Sequence, residues 1–430
     1  MASTRDRGLR RELGLREAVA LGVGGTVGGG IFVLVGAAAG LAGPAALLAF
    51  VLAFGASLAI ALPYAELACR LPLAGGGYAF ARQVLGRHWG FLMGWGYAGA
   101  YVFVSGYVTV GFGGYLHAVT GLPAAAGAVA LVAGCTVLNL LGVKVSGRAQ
   151  AVVVLVAVGG LAALVLWGLP AVRLDRLRPF APQGAGGVFQ AALVAFLSLG
   201  GFDMVAAAGE EVRQPERNLP RAILLTLTGV VGLYLLVALV ALGSVPAWRL
   251  GASAAPLADA AGAFGGGVGR RLIVFCALLT TAATANAVLV VTSRVVFAMA
   301  RDKLLPSGLG AVHRLTGAPW AAVLACGLLL GAVAGLGTVR FAATAGGFLY
   351  VLHFVPPLIA LVLLRRRQGG ERPAFTTPAP RVLVPLAFAA STALVVASGR
   401  TGLVVGSAWL LAGLAVHAAW SRRLSAARAR

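Results

Sequence analysis

Long uninterrupted apolar runs recur along this chain, and they restrict its possible folds more than any other feature of the sequence. Runs of about 20 apolar residues can cross the hydrocarbon core of a bilayer as helices. The composition agrees, because 60% of the 430 residues are hydrophobic and 11% are charged, against about 25% charged in soluble domains. A transmembrane β-barrel would instead show alternating segments of about 10 residues. We therefore expect an all-α integral membrane protein.

Twelve apolar runs can be counted, and we expect each to form one transmembrane helix. They lie near residues 17–40, 43–68, 88–118, 123–141, 149–169, 187–210, 221–245, 268–300, 319–336, 341–364, 381–398 and 401–420. Residues 1–16 would then form an N-terminal tail and residues 421–430 a basic C-terminal tail. The first run continues directly into the second, which argues against a cleaved signal peptide.

The basic residues are distributed unevenly between the predicted loops. If both termini are cytoplasmic, 26 of the 34 Lys and Arg residues fall in the inner segments. This is the positive-inside bias of membrane proteins, and it explains the net charge of +22 without a nucleic acid partner. The expected partners are the lipid bilayer and a small substrate, in a multi-pass protein of the cell membrane, and the oligomeric state is left open.

The first apolar run contains an unusual stretch, Leu21–Val35, which reads "LGVGGTVGGGIFVLV" and has six glycines. Glycine in a helix interior costs about 0.5–1 kcal/mol relative to alanine. One interpretation is close packing of helices through small residues. The other is a discontinuous helix, which is tolerated at membrane depth only where it is buried in protein or lines a cavity.

The sixth run favours the second interpretation. It carries Ser198, Gly200, Gly201 and Asp203 near its middle, and an acid inside a span is a functional-site candidate. Interrupted helices at corresponding positions of two halves are the sequence pointer to a transporter with inverted repeats. We therefore expect discontinuous helices 1 and 6 in a 5+5 inverted repeat. The repeats would be residues 17–169 and 187–364, followed by two accessory helices within residues 381–420.

Five segments, in chain order, resemble the amino acid–polyamine–organocation (APC) superfamily of transporters, within which the chain looks like an amino acid permease. They are "GGTVGGGIF" (24–32), "LPYAELACRLPLAGGGYAFAR" (62–82), "NLLGVKVSGRAQ" (139–150), "GGFDMVAAAGEEVRQPERNLPRAI" (200–223) and "SRVVFAMARDKLLP" (293–306). One glycine-rich match would be weak evidence, but five in the same order are specific.

The resemblance implies a binding site for an amino acid at the two breaks. Gly28, Gly29 and Gly30 would hold the substrate carboxylate through backbone N–H groups, since a half-helix N-terminus favours anions. Carbonyl groups would hold the ammonium, and further residues would line the side-chain pocket. The carbonyls are those of Thr26, Leu197 and Gly200, and the pocket residues are Tyr101, Val104, Ser105, Thr109, Phe196, Ser198, Thr280, Thr281, Thr284 and Tyr350.

Three positions depart from patterns seen in parts of the superfamily. The aromatic gate of many relatives falls on Leu197, with Phe196 beside it. The lysine that serves proton coupling in some relatives falls near Ala157, and the fifth run contains no lysine. The acid of cationic amino acid transporters falls on Ala100. Lysine-assisted proton symport is therefore in doubt.

Other groups could couple transport to an ion. Asp203 is the first candidate, because a carboxyl in a low dielectric can titrate during the transport cycle, although a purely structural role is also open. His353 is another titratable group. Thr280 and Thr281 could supply oxygens to sodium, but such hydroxyls commonly bond their own helix, so protons are favoured over sodium. An exchanger would need no coupling ion.

A second set of ionisable residues lies near the predicted cytoplasmic ends of the helices. Opposite charges there could close the inner mouth of a transporter, or form static surface ion pairs, which contribute little to stability. These gating candidates are Glu66, Glu210, Glu211 and Arg294.

The sequence thus favours a secondary transporter of amino acids, most simply neutral L-amino acids, working as a proton-coupled symporter or an exchanger. The alternatives within the same fold are an amino acid exporter and a carrier of polyamines or cationic amino acids. A carrier of such cations would need further acidic residues near the centre, where only Asp203 is available. An enzyme is disfavoured, because the five histidines and four cysteines show no metal-ligand spacing and no nucleophile–base pair is evident. The paired breaks favour a transporter over a channel. The sequence has no phosphate-binding motif, and we expect no cofactor or metal site.

Overall fold

The computed structural model describes residues 13–72, 76–142, 147–207, 209, 211–367 and 373–428. The predicted gating residue Glu210 and most of the N-terminal tail lie outside these ranges. Within them the chain is helical, and the only β feature is an isolated bridge between Leu13 and Val212. The prediction of an all-α protein is confirmed for the described residues.

Seventeen α-helices make up the described structure. The first nine are α1 (Leu15–Thr26), α2 (Gly29–Ala42), α3 (Ala46–Arg70), α4 (Gly76–Leu85), α5 (Arg87–Thr120), α6 (Ala124–Leu140), α7 (Gly147–Gly168), α8 (Gly184–Ser198) and α9 (Phe202–Ala207). The others are α10 (Pro215–Ser244), α11 (Ala247–Ala252), α12 (Pro256–Arg301), α13 (Trp320–Leu336), α14 (Val339–Leu352), α15 (Val355–Arg367), α16 (Pro380–Ala397) and α17 (Gly399–Arg428).

The helices are long and apolar enough for a multi-pass membrane protein. Among the described residues, nine helical segments reach the length and hydropathy needed to cross a bilayer, and the shorter helices α6 and α13 are also apolar. One of the nine, Gly29–Arg70, runs through two of the predicted spans. The count of twelve spans and the inverted repeat therefore stay predictions.

The first and sixth predicted spans are each interrupted in the middle. The first is divided into α1 and α2 by Val27 and Gly28, and the sixth into α8 and α9 by residues 199–201. Both interruptions lie at the positions predicted from the sequence. Helix α2 packs against α8, α11 and α12, while α1 packs against α9 and α10, so the two broken helices lie together inside the bundle.

A third interruption was not predicted. The run near 341–364 consists of α14 and α15, separated by His353 and Phe354. Pro356 and Pro357 follow directly, and a proline has no N–H to donate to the carbonyl four residues earlier. The paired prolines are the sequence signal for this break. Its consequence is that His353 lies at a helix end.

The structure has two ends, which we name after residues on them. At the Leu13 end, the amide of Leu13 donates to the carbonyl of Glu211 at 3.0 Å and the amide of Arg213 donates to the carbonyl of Leu13 at 2.7 Å. The Leu41 end lies at the other end of the broken helices, where α2 stops and α8 begins. The short helices α4 and α11, which the sequence did not predict, lie at the Leu13 and Leu41 ends respectively.

Candidate functional site at the helix breaks

At the first break, a helix begins in the interior of the protein. Gly28 is extended, with φ −102° and ψ −159°, and it precedes α2. The amides of the first turn of a helix have no acceptor within that helix. The amide of Gly28 donates to the carbonyl of Thr26 at 2.8 Å, and that of Gly29 donates to Thr284 Oγ1 at 3.0 Å. The amide of Gly30 belongs to the same first turn.

The carbonyls predicted to receive an ammonium differ in their hydrogen bonds. The Thr26 carbonyl accepts from the Tyr234 hydroxyl at 2.9 Å and from the Gly28 amide, so both of its lone pairs are engaged. The Leu197 carbonyl accepts from the Gly200 amide at 3.1 Å, and the Leu199 amide at the end of α8 also donates to it. An ammonium at either carbonyl would therefore replace an amide donor of its own break.

The glycines of the first break lie close to neighbouring helices. A Cβ on Gly28 would lie 2.8 Å from Thr284 Oγ1, and one on Gly29 would lie 2.7 Å from Thr281 Cγ2. A Cβ on Gly30 would lie 3.2 Å from the Cα of Ser198. Both interpretations of the glycine-rich stretch therefore hold: the helix is broken, and the small residues also let α2 pack closely.

The second break touches the first. Gly201 has φ +114°, and a Cβ on it would lie 2.4 Å from the carbonyl carbon and oxygen of Gly25. Its amide donates to the Tyr350 hydroxyl at 3.1 Å. Only glycine combines this backbone angle with so close an approach. The two predicted breaks are thus brought into direct contact.

Asp203 follows the second break, in the first turn of α9, and it is 4% exposed. The Tyr350 hydroxyl donates to its Oδ1 at 3.1 Å. The Nε2 atom of His353 lies 3.6 Å from its Oδ2, and neither ring nitrogen of His353 has a hydrogen-bond partner among the described residues. The two coupling candidates of the sequence analysis therefore form one buried acid–histidine pair.

Aromatic rings surround this pair and extend to the predicted pocket. The ring centroid of Tyr350 lies 4.7 Å from that of His353, and 6.0 Å from those of Tyr101 and Phe196. Phe196 and Leu197 are both buried, so either could occlude a substrate at the gate position.

The polar pocket residues differ in how their hydroxyls are used. The Ser105 hydroxyl is buried without a hydrogen-bond partner among the described residues, so it can still receive a polar group. Other pocket hydroxyls bond carbonyls of their own helices: Thr109, Ser198, Thr280, Thr281 and Thr284.

Glu66 has partners that the sequence analysis did not identify. It is fully buried near the end of α3 and pairs with Arg70 at 2.9 Å and with Arg365. The amide and hydroxyl of Thr377 donate to its Oε2, each at 2.8 Å. Glu66 thus belongs to a cluster, buried at its carboxylate, that joins α3, α15 and Thr377, and the described residues show no pairing of Glu66 with Arg294.

The other gating candidates are less constrained. Glu211 and Arg294 are both exposed, and the described part of the chain gives neither an ion pair. Glu211 contributes to the Leu13 end through its backbone carbonyl. Sequence reasoning missed Tyr234, Arg365 and Thr377, whose roles depend on contacts between distant segments, and local patterns carry no signal for such contacts.

Comparisons with known proteins show which family the chain belongs to. A family model described as amino acid permease matches residues 13–417. A branched-chain amino acid permease of Bacillus subtilis is 31% identical over 99% of this chain and 96% of its own length. A methylthioribose transporter of the same organism is 31% identical, over 88% of this chain and 86% of its own.

A vacuolar cationic amino acid transporter of Arabidopsis thaliana is also similar. It is 31% identical over 81% of this chain and 64% of its own length. These relatives are permeases and transporters, which are not enzymes. The family model covers almost all of the chain, and the Bacillus subtilis branched-chain amino acid permease matches it over nearly its whole length. The chain belongs to the amino acid permease family of the APC superfamily.

Proposed function

We propose that this protein is a secondary transporter of neutral L-amino acids that works by alternating access around the two breaks. In this proposal twelve helices cross the cell membrane, with both termini cytoplasmic, and residues 17–169 and 187–364 form inverted repeats. The observation that carries the proposal is the contact between the breaks at Gly25 and Gly201. A movement of one broken helix would therefore displace the other.

Backbone groups at the breaks would bind the charged ends of the substrate. The first-turn amides of α2 supply donors and a positive dipole for the carboxylate, with the Gly29 amide exchanging Thr284 for the substrate. The carbonyls of Thr26, Leu197 and Gly200 would accept from the ammonium, with Thr26 exchanging the Gly28 amide for the substrate. The substrate side chain would then lie toward Ser105 on α5.

The charge of the site favours neutral substrates over cationic ones. Asp203 is the one acid at the breaks among the described residues, and its two carboxylate oxygens already face Tyr350 and His353. A second ammonium or guanidinium would therefore have no uncommitted carboxylate to pair with. An exporter of amino acids, or a carrier of polyamines or cationic amino acids, is the alternative within the same fold.

The Asp203–His353 pair is the proposed site of proton coupling, in place of the lysine that is absent near Ala157. Protonation would change the charge of a pair that is buried against the second break, and Tyr350 links its Oδ1 to the Gly201 amide. Other hydroxyls within electrostatic range of Asp203 belong to Tyr64, Tyr97 and Tyr101. The gating proposal retains Glu66, with Arg365 as its partner.

Counterflow of labelled leucine in proteoliposomes tests the function, with and without a proton gradient, on wild type and Asp203→Asn. Asparagine keeps an acceptor for the Tyr350 hydroxyl but cannot be ionised. We expect exchange in both proteins, and gradient-driven accumulation in the wild type alone. Exchange that ignores the gradient in both would make the protein an exchanger. Failure of leucine, alanine and phenylalanine to exchange under either condition would contradict the proposal itself.

A further inference from the structure

A cavity of about 970 Å³ opens at the Leu41 end, away from the acid–histidine pair. Its walls come from α2, α5, α11 and the segment before α8. It reaches Val33 on α2, which lies four residues, or about 6 Å of helix rise, beyond Gly29. The cavity therefore ends roughly one helical turn from the first break.

Three arginines line this cavity, and no Asp or Glu is among its lining residues. They are Arg176, Arg178 and Arg340. None of the three has an ion pair in the described part of the chain. Arg178 and Arg340 are exposed, while Arg176 is partly buried. The cavity thus carries positive charge that the protein does not neutralise locally.

The two acids nearest in the sequence to the lining residues already have basic partners. Asp175 pairs with Arg173 at 2.9 Å, and Asp259 pairs with Arg270 at 3.1 Å. The hydrogen bond from Arg173 holds the pKa of Asp175 below its usual value, and the charge of this carboxylate is balanced by Arg173. Neither acid offsets the three lining arginines.

We propose that this arginine-lined cavity is an entry vestibule that admits zwitterionic amino acids, concentrates anionic solutes and excludes cationic amino acids. A concave surface of one charge sign focuses the field and raises the local concentration of ions of the opposite sign. The net charge of a substrate is then selected before it reaches the breaks. This inference rests on the proposed function and extends it by assigning charge selection to residues outside the binding site.

Trp248 gives a readout of the vestibule that does not depend on transport. It lines the cavity and is 75% exposed. Quenching of its fluorescence by iodide and by caesium, in protein reconstituted in phosphatidylcholine, compares anion and cation access. The Trp248 signal is the difference between each protein and the same protein carrying Trp248→Phe, because the chain has seven tryptophans.

Relative to their quenching of free N-acetyltryptophanamide, we expect iodide to quench Trp248 about threefold more strongly than caesium, and Arg178→Gln with Arg340→Gln to reduce that normalised ratio about twofold. The matched control is Arg271→Gln with Arg400→Gln, which removes the same charge from two exposed arginines outside the lining and should leave the ratio unchanged. Equal normalised quenching by both ions in the wild type, or equal effects of both double variants, would overturn the proposal. Phosphatidylcholine has no net charge, so anionic headgroups are not the source of the effect.

Uptake of labelled leucine by intact cells, with lysine as competitor, tests the consequence for substrates. Reversing the charge with Arg178→Glu and Arg340→Glu should make lysine at least fivefold more inhibitory, and 0.5 M salt should reduce this change, because the Debye length falls below about 5 Å. An iodide preference without any change in lysine inhibition would overturn the vestibule. An iodide preference without uptake of any amino acid would instead overturn the proposed function.

Discussion

The two breaks lie against each other, yet they are built differently. At the first, Val27 and Gly28 have negative φ angles of −78° and −102°, so the glycine is needed for space and not for its backbone angle. At the second, Gly201 needs both, with φ +114° and a backbone neighbour. A substitution at the first break can therefore be compensated by a change in a neighbouring side chain, whereas a substitution at Gly201 cannot.

The partners of the two breaks differ in the same way. Neutral hydroxyls of Thr284 and Tyr234 bond the first break. The second is bonded by Tyr350, which also donates to Asp203. In the proposed mechanism, substrate binding at the first break thus involves groups whose charge is fixed, while the second break is linked to groups that can change charge. This division suggests that recognition and coupling can be altered separately.

Gly201→Ala should have the largest effect, because a methyl group cannot be placed there. The left-handed backbone costs about 1–3 kcal/mol, and the overlap with Gly25 adds about 1–3 kcal/mol of overpacking. We expect a large loss of thermal stability, measured on detergent-solubilised protein, and no detectable exchange. Gly229→Ala is the control, since a Cβ there has no neighbour within 4 Å. A stable and active Gly201→Ala protein would contradict the contact between the breaks.

Gly29→Ala should have a smaller effect that a neighbour can relieve. Its Cβ would lie 2.7 Å from Thr281 Cγ2 and 3.0 Å from Val108 Cγ1, and such overpacking costs about 1–3 kcal/mol. We expect apparent affinity for leucine to fall by about tenfold, which corresponds to about 1.4 kcal/mol. Counterflow at several leucine concentrations measures it.

Adding Thr281→Ser to Gly29→Ala removes the nearest methyl group and should recover part of the lost affinity. No side-chain change can do the same for Gly201→Ala, because its neighbour is backbone. If the second change recovers nothing for Gly29→Ala, the distinction between the two breaks is wrong.

The sequence predicted much of this arrangement and missed specific parts of it. Apolar runs and glycine clusters are local, so the helical class and the breaks near Gly28 and Gly201 could be predicted. The Asp203–His353 pair joins residues 150 positions apart, and its two members could be named only separately. The break at His353 and Phe354 has a local sequence signal in Pro356 and Pro357, but it was not among the predicted breaks. The arginine-lined cavity has no local signal at all, because its walls come from several distant segments.

His353→Gln should separate coupling from recognition. Glutamine keeps polar atoms beside Asp203 but cannot carry the charge of a protonated imidazole. We expect leucine exchange to change by less than about threefold, or 0.7 kcal/mol, while accumulation driven by a proton gradient is lost. His417→Gln, a substitution of another histidine, which faces His88, should preserve both activities. Gradient-driven accumulation that survives in His353→Gln would remove the second break from the coupling mechanism.

Thr284→Val should have the smallest effect of these substitutions, and the direction in which it changes the apparent affinity for leucine is informative. It removes the acceptor of the Gly29 amide, and a neutral hydrogen bond contributes about 1 kcal/mol, so the ligand-free protein should be slightly less stable. The same amide would then be free for the substrate carboxylate, and apparent affinity for leucine should rise by up to about fivefold. Thr292→Val on the same helix is the control, because its buried hydroxyl bonds only its own helix at Val288. If affinity falls instead, Thr284 contacts the substrate directly, and the first break recognises it through a side chain as well as through the backbone.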